Sequence, residues 1–183
     1  MPATESDHES IEIDGGILGK LSFSRSGDRY KHRWDFPNSP IQIHSVESSS
    51  DELWPSSPPL QQIHQQSFAD GREVIFGVGM AGRGHWSASF TLVPDLKCWI
   101  VELACRSSIV PDKLESTYRV NHSDSPELAS TELCLDSESG IHAEAIAPSS
   151  KIAIKDKQLV FSPAQIQENS QTLQWAFRLR VSG

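Results

Sequence analysis

The stretch Arg72–Phe90, REVIFGVGMAGRGHWSASF, contains Gly77-x-Gly79-x-x-Gly82, the glycine spacing of a dinucleotide-binding turn. That chemistry requires the third glycine to open a helix whose N-terminal amides hold the pyrophosphate. EVIF reads as the strand that should precede the turn. The segment after the turn, RGHWSASFTLVPD, alternates apolar with polar residues and ends at Pro94. No amphipathic helix fits before the next strand at Lys97, so the spacing is present and the nucleotide site is not.

Gly77 and Gly79 share one side of their strand, opposite Phe76, Val78 and Met80. Glycine inside a strand marks a bend, a bulge or the close approach of another group. MAGRGH then reads as a hairpin loop with Gly82 and Gly84 free to take positive φ. In its functional form the stretch is a bare floor beneath a ligand, with Arg83, His85 and Trp86 at the rim.

Metal chemistry has one candidate. His142 and Glu144 are two apart on a strand, so their side chains point the same way and could share an ion. A third ligand would have to come from His122, Asp136 or Asp156. A lone His and Glu on a wet strand face are ordinarily solvated, and no metal or other cofactor is expected. Nucleophilic catalysis has less to offer. No GxSxG occurs, and Cys98 and Cys105 lie in KCWIVELACR, the most apolar strand of the chain, where thiols are inert. The 24 acidic residues allow so many carboxylate pairs that none stands out.

Five tryptophans raise the possibility of sugar stacking. Trp34, Trp86, Trp99 and Trp175 fall in phase with the apolar sides of their strands, where core packing accounts for them. Trp54 lies in a polar loop, DELWPSSPP. It either clips that loop onto the sheet or serves as an exposed contact, and WPSSPP has the extended character that a partner domain could grip. Gly79, Arg83, His85, Trp86 and Trp54 are therefore the candidate ligand-binding residues.

The elements that must position these residues are almost all strands. In TLQWAFRLRV, Leu173, Trp175, Phe177, Leu179 and Val181 fall on one side and polar residues on the other. HWSASFTLV repeats the pattern with Trp86, Ala88, Phe90 and Leu92. KLSFSRSGDRYKHRWDF reads as a hairpin turning at SGD, with Tyr30, His32, Trp34 and Phe36 on one side of the return. IQIHSV, REVIFGVGM, STYRVNH, TELCLD, IHAEAIA, KIAIKD and QLVFSP are further short strands. KCWIVELACR is apolar on both sides, which predicts a central strand covered on both faces, with Glu102 and Arg106 offsetting each other's charge. SPAQIQENSQ has the Ser-Pro start of a helical turn. DKLES reads as a single turn, and PLQQIHQQ as a turn or an edge strand. VESSSDELWPSSPP and NHSDSPELAST read as loops. The pattern predicts an all-β antiparallel sandwich, with a closed or partly open barrel as the alternative and at most one or two short helical turns.

Composition limits the rest. The 183 residues suit one domain, expected over residues 10–183 behind a disordered tail at 1–9. A formal net charge of -8 repels phosphate backbones, so no nucleic-acid partner is expected. RSGDRYKHR, the densest basic segment, alternates with aromatics across a hairpin and reads as a solvated face. The N-terminus has no signal-peptide pattern, and no apolar run approaches the roughly 18 residues that span a bilayer. Cys98 and Cys105 lie more than roughly 20 Å apart on one strand and cannot pair, although either could meet Cys134. Three reduced thiols in a cytoplasmic protein is the simpler reading. The functional expectation is a non-catalytic module binding an unknown protein or small molecule. The alternatives are a small enzyme or carrier with a site between the sheets near Glu102, Arg106 and His142, and a structural subunit that buries an edge strand or an apolar face.

Overall fold

The computed structural model describes residues 10–121, 128–129, 131–146, 148–168 and 171–182. The expected tail at 1–9 lies outside them. In chain order the first strands are β1 (Ile11–Asp14), β2 (Lys20–Ser26), β3 (Arg29–Asp35), β4 (Gln42–Ser45), β5 (Gln62–Ser67), β6 (Glu73–Ala81), β7 (Gly84–Val93) and β8 (Cys98–Ser107). The later strands are β9 (Ser116–Val120), β10 (Leu128–Ala129), β11 (Glu132–Asp136), β12 (Ile141–Ala145), β13 (Ser150–Lys155), β14 (Gln158–Pro163) and β15 (Thr172–Val181). The only helical elements among the described residues are 3-10 turns at Gly16–Leu18 and Pro94–Leu96. Among the described residues no helix is long and apolar enough to cross a membrane.

The strands form two antiparallel sheets packed face to face, ordered β1-β2-β3-β4-β9-β14-β13 and β10-β11-β12-β15-β8-β7-β6-β5, and they do not close into a barrel. The expected sandwich is the observed one. Alternation explains why: the predicted inward residues of β3, β7 and β15 are buried apart from half-buried Val181, with Trp34, Phe90 and Phe177 at 0% exposure. Trp34, Trp99, Trp175, Tyr118 and Phe161 fill the space between the sheets, and Phe161 stacks on Phe177 at 3.9 Å. Two buried indole N–H groups find acceptors, Trp99 on the Leu18 carbonyl at 2.8 Å and Trp175 on Ser116 Oγ at 3.0 Å. Each large aromatic buried this way contributes on the order of 5 kcal/mol of apolar transfer free energy before the entropy of ordering it.

Several local expectations need correction. β8 is central, but only its inner face is fully covered: Ile100 and Ala104 are half-buried, and Glu102 and Arg106 are exposed. Glu102 accepts a hydrogen bond from Ser89 Oγ at 3.3 Å and forms no ion pair with Arg106 among the described residues. Four residues along a strand is about 13 Å, too far for such a pair. SPAQIQENSQ does not start a helix, because Ser162 and Pro163 complete β14 and residues 165–167 are irregular. DKLES likewise forms no helical turn: Asp112 lies in a bend, residues 113–115 are irregular, and Ser116 begins β9. Proline at a strand's last position is as compatible with its fixed φ as proline at a helix start. PLQQIHQQ resolves as edge strand β5, and the loop at NHSDSPELAST contains the two-residue β10.

The 46–61 connection crosses from the seven-stranded sheet to the eight-stranded one as a strap that is exposed at Ser49–Leu53 and buried over Trp54–Leu60, where Ser56 alone is half-buried. Thr117 N–H donates to the Ser56 carbonyl at 3.0 Å, Tyr30 N–H to the Leu60 carbonyl at 2.7 Å, and Gln61 N–H to the Val78 carbonyl at 2.8 Å. Pro55, Pro58 and Pro59 are buried in it. Proline has no N–H, so three of the strap's residues bring no donor that burial would leave unpaired.

Candidate interaction surface

The strap decides which way β6 faces. Gly77 and Gly79 point inward, with the Leu60 side chain 3.0 Å from where a β-carbon on Gly77 would stand and the Pro59 carbonyl in the space a β-carbon on Gly79 would fill. The bare floor is real, and the protein's own chain occupies it. In consequence the apolar side of β6 is turned outward: Phe76, Val78 and Met80 are 39%, 48% and 51% exposed. They form a row about 13 Å long. His64 and Gln62 of β5 stand opposite Phe76 and Val78 on one flank, and Ser89, Ser87 and His85 of β7 stand opposite the three on the other.

The residues singled out from the sequence divide between surface and interior. Arg83 sits at the tip of the β6–β7 hairpin and His85 on the outer face, and both are exposed. Trp86 and Trp54 are only 3% and 8% exposed and pack on each other with ring centroids 5.9 Å apart. Trp54 thus clips the strap to the sheet and is not a surface contact, Trp86 is core, and Gly79 lies beneath Pro59. Gly82 takes the positive φ expected of it, 53°. Gly84 does not; it is small because the Trp86 ring lies over it.

His142 and Glu144 share a face as expected, but each already has a partner. Arg178 Nε donates to Glu144 Oε2 at 2.7 Å, and His142 Nδ1 lies 2.9 Å from Glu132 Oε1, which Arg180 also contacts. Asp136 accepts from Ser39 Oγ at 2.6 Å, and Asp156 sits in the β13–β14 turn. His122 lies outside the described residues. Among the described residues no group of three His, Cys, Asp or Glu could hold a metal. All three cysteines are free. Cys98 and Cys105 are buried, with the Cys105 thiol pushed up to about 12 by burial, whereas Cys134 is exposed.

An enzyme-like site between the sheets finds no support near Glu102, Arg106 and His142, since all three lie on the outer face of the eight-stranded sheet. The interior does contain a pair of titratable side chains, His32 Nε2 at 3.0 Å from the Tyr118 hydroxyl. Burial holds the imidazole down at about 3 and raises the phenol well above its ordinary value. Both rings are locked among Phe23, Trp34, Phe90 and Phe177, which leaves no room for a substrate.

Two shallow cavities lie at the rim. One of about 490 Å³ is lined by Ile17, Phe36, Asn38, Ser39, Ile141 and Val181 among others, with Glu138 its one ionisable side chain. The other, about 420 Å³, lies between the β2–β3 turn and Glu47–Ser50. Beside it Arg29 is 2% exposed, with Nε and Nη2 on the Asp28 carboxylate at 2.9 and 3.1 Å. Glu47 accepts from Ser45 Oγ at 2.7 Å, and burial pushes its carboxyl up to about 7. Both residues line the cavity, and Arg29 Nη1 and Glu47 Oε2 are buried without a hydrogen-bond partner among the described residues.

No family model, curated protein or solved structure matches the chain.

The outward row on β6 was not identified from the sequence. Its signal was the pair of glycines on the opposite side of the strand: residues without side chains are poor core material, so whatever covered them had to come from elsewhere in the chain. The strap's PPL at 58–60 was the available filler, but periodicity within β6 carries no information about a segment so far upstream.

Proposed function

We propose that this chain is a non-catalytic interaction module whose contact face is the outer surface of β6 and its neighbours. The observation that carries this reading is the exposed row Phe76, Val78 and Met80 in a domain whose interior is otherwise filled. Apolar side chains aligned along one strand and rimmed by His, Gln and Ser have the composition of a recognition face, with a water-shedding centre and a polar border. Arg83 and His85, at the hairpin end of the row, supply donors there. The partner is a protein surface with its own apolar ridge; the acidic balance of the chain disfavours nucleic acid. Three free thiols fit a cytoplasmic setting, which is part of the same reading.

Site-specific photocrosslinking in the cells that make the protein tests it. A photoreactive residue at Val78 is expected to yield a discrete adduct, while the same residue at Glu102, on the polar part of the same outer face, yields none. Equal labelling from both positions, or none from Val78, contradicts the reading.

A further inference from the structure

The two sheets end in four edge strands, and three of them carry features that discourage pairing with another chain. β1 is only Ile11–Asp14 and carries Glu12 and Asp14. β13 carries exposed Lys151 and Lys155. β10 is two residues long. β5 has none of these features: QIHQQS is six residues without a charge, proline or glycine, and it closes the end of the eight-stranded sheet beside the exposed row on β6. Phe68 N–H donates to the Arg72 carbonyl at 2.9 Å, which sets the phase of the β5–β6 ladder. Alternation from that pair leaves the backbone groups of Ile63, Gln65 and Ser67 on the free side.

We infer that a second copy of this chain pairs with β5 edge to edge and antiparallel, joining the two eight-stranded sheets across a two-fold axis. This rests on the reading of the chain as an interaction module and names one of its partners. The charges at the two ends of β5 favour this partner and direction. At the Gln62 end, Arg29 is neutralised by Asp28, leaving Arg25, whose Nη1 donates to the Gln61 carbonyl at 3.3 Å. At the Ser67 end, Asp70 is neutralised by Arg72 at 2.8 Å, leaving Glu73, which accepts from Ser67 Oγ at 2.8 Å. Antiparallel pairing brings the Arg25 end of each copy beside the Glu73 end of the other, twice per dimer. An uncharged strand between those ends lets two chains of net charge -8 approach without like charges meeting at the seam.

Sedimentation velocity of the full chain at micromolar concentration tests the inference. The expected species has twice the chain mass of 20.3 kDa. Gln65→Pro removes an N–H from the free side only, a position where an edge strand tolerates proline, and is expected to give a monomer with an unchanged far-UV spectrum. His64→Lys, which restores the kind of charge the other edges carry, gives the same result if the proline variant fails to fold. Arg25→Glu weakens the dimer about tenfold, and Glu73→Lys in the same chain restores it. A wild-type monomer overturns the inference, as does a dimer that survives Gln65→Pro and His64→Lys. A dimer that survives both but is lost in Val78→Lys assigns self-association to the apolar row: the edge inference then fails while the proposed contact face stands. An adduct from Val78 to another protein, with a monomeric wild type, has the same consequence.

Discussion

The carbonyl of Pro59 occupies the place where a β-carbon on residue 79 would stand. This one relationship turns β6 over, buries its glycines and leaves Phe76, Val78 and Met80 facing out. Gly79→Ala must therefore push backbone against backbone, with no flexible side chain to give way. A loss of about 3 kcal/mol is expected in urea unfolding. Gly77→Ala meets only the Leu60 side chain, which can shift, and is expected to cost about 1 kcal/mol. Equal costs at the two positions would mean that the strap is not held where the structure has it.

Trp54 provides a second test of the strap. Packed on Trp86 at 5.9 Å, it is a clip between loop and sheet. Trp54→Ala should cost about 3 kcal/mol and alter the near-UV circular dichroism of the paired indoles. An exposed contact residue would leave both unchanged.

Two buried groups give the fold opposing pH responses. Burial lowers His32 from 6.5 to about 3, so the unfolded chain binds a proton that the native state refuses; stability is lost as pH falls below 6.5. Burial raises Glu47 from 4.5 to about 7, so the native state holds a proton that the unfolded chain releases; this contribution is complete below 4.5 and is lost as pH rises through 7. Between 4.5 and 6.5 the two slopes cancel, and stability should be flat. Glu47→Gln removes one of them: the variant is expected to gain about 3 kcal/mol in stability between pH 4.5 and 6.5 and to exceed wild type by a similar amount at pH 8. Urea midpoints across that range check this: a wild-type profile that slopes as the variant's does would count against a buried, protonated Glu47, and a flat variant profile would count against the buried, neutral His32.

The charge ladder at Glu132, His142, Glu144, Arg178 and Arg180 is half-exposed and paired within itself, with His142 Nδ1 close to Glu132 but not hydrogen-bonded to it. Arg178→Ala should cost less than about 1 kcal/mol. Elemental analysis of purified protein should find no stoichiometric metal, and one equivalent lost on His142→Ala would overturn this account of the ladder.

Alternation made most of the architecture legible. The inward faces of β3, β7 and β15 follow from period-two burial, which is a local property of each strand; the central place of β8 follows from its apolar residues on both sides, and PLQQIHQQ, open as a turn or an edge strand, is the edge strand. The failures share a cause. The outer face of β8 and the outward turn of β6 depend on which distant segment arrives at a face, and neither propensity nor periodicity encodes that; for Trp54, one of the two roles its loop allowed, the clip onto the sheet, is the observed one. SPAQIQENSQ failed for a different reason, since Ser-Pro serves a strand end as well as a helix start. The outward row was the least legible feature, because Phe76, Val78 and Met80 have the composition of core and only the strap excludes them from it.

The central claim is that the outward row on β6 is a contact face, and crosslinking from Val78 in the native cell tests it most directly. The account predicts a discrete adduct from Val78 that is absent from Glu102 and is lost when Phe76 and Met80 are replaced by serine. No adduct from Val78, or one that survives those replacements unchanged, would contradict it.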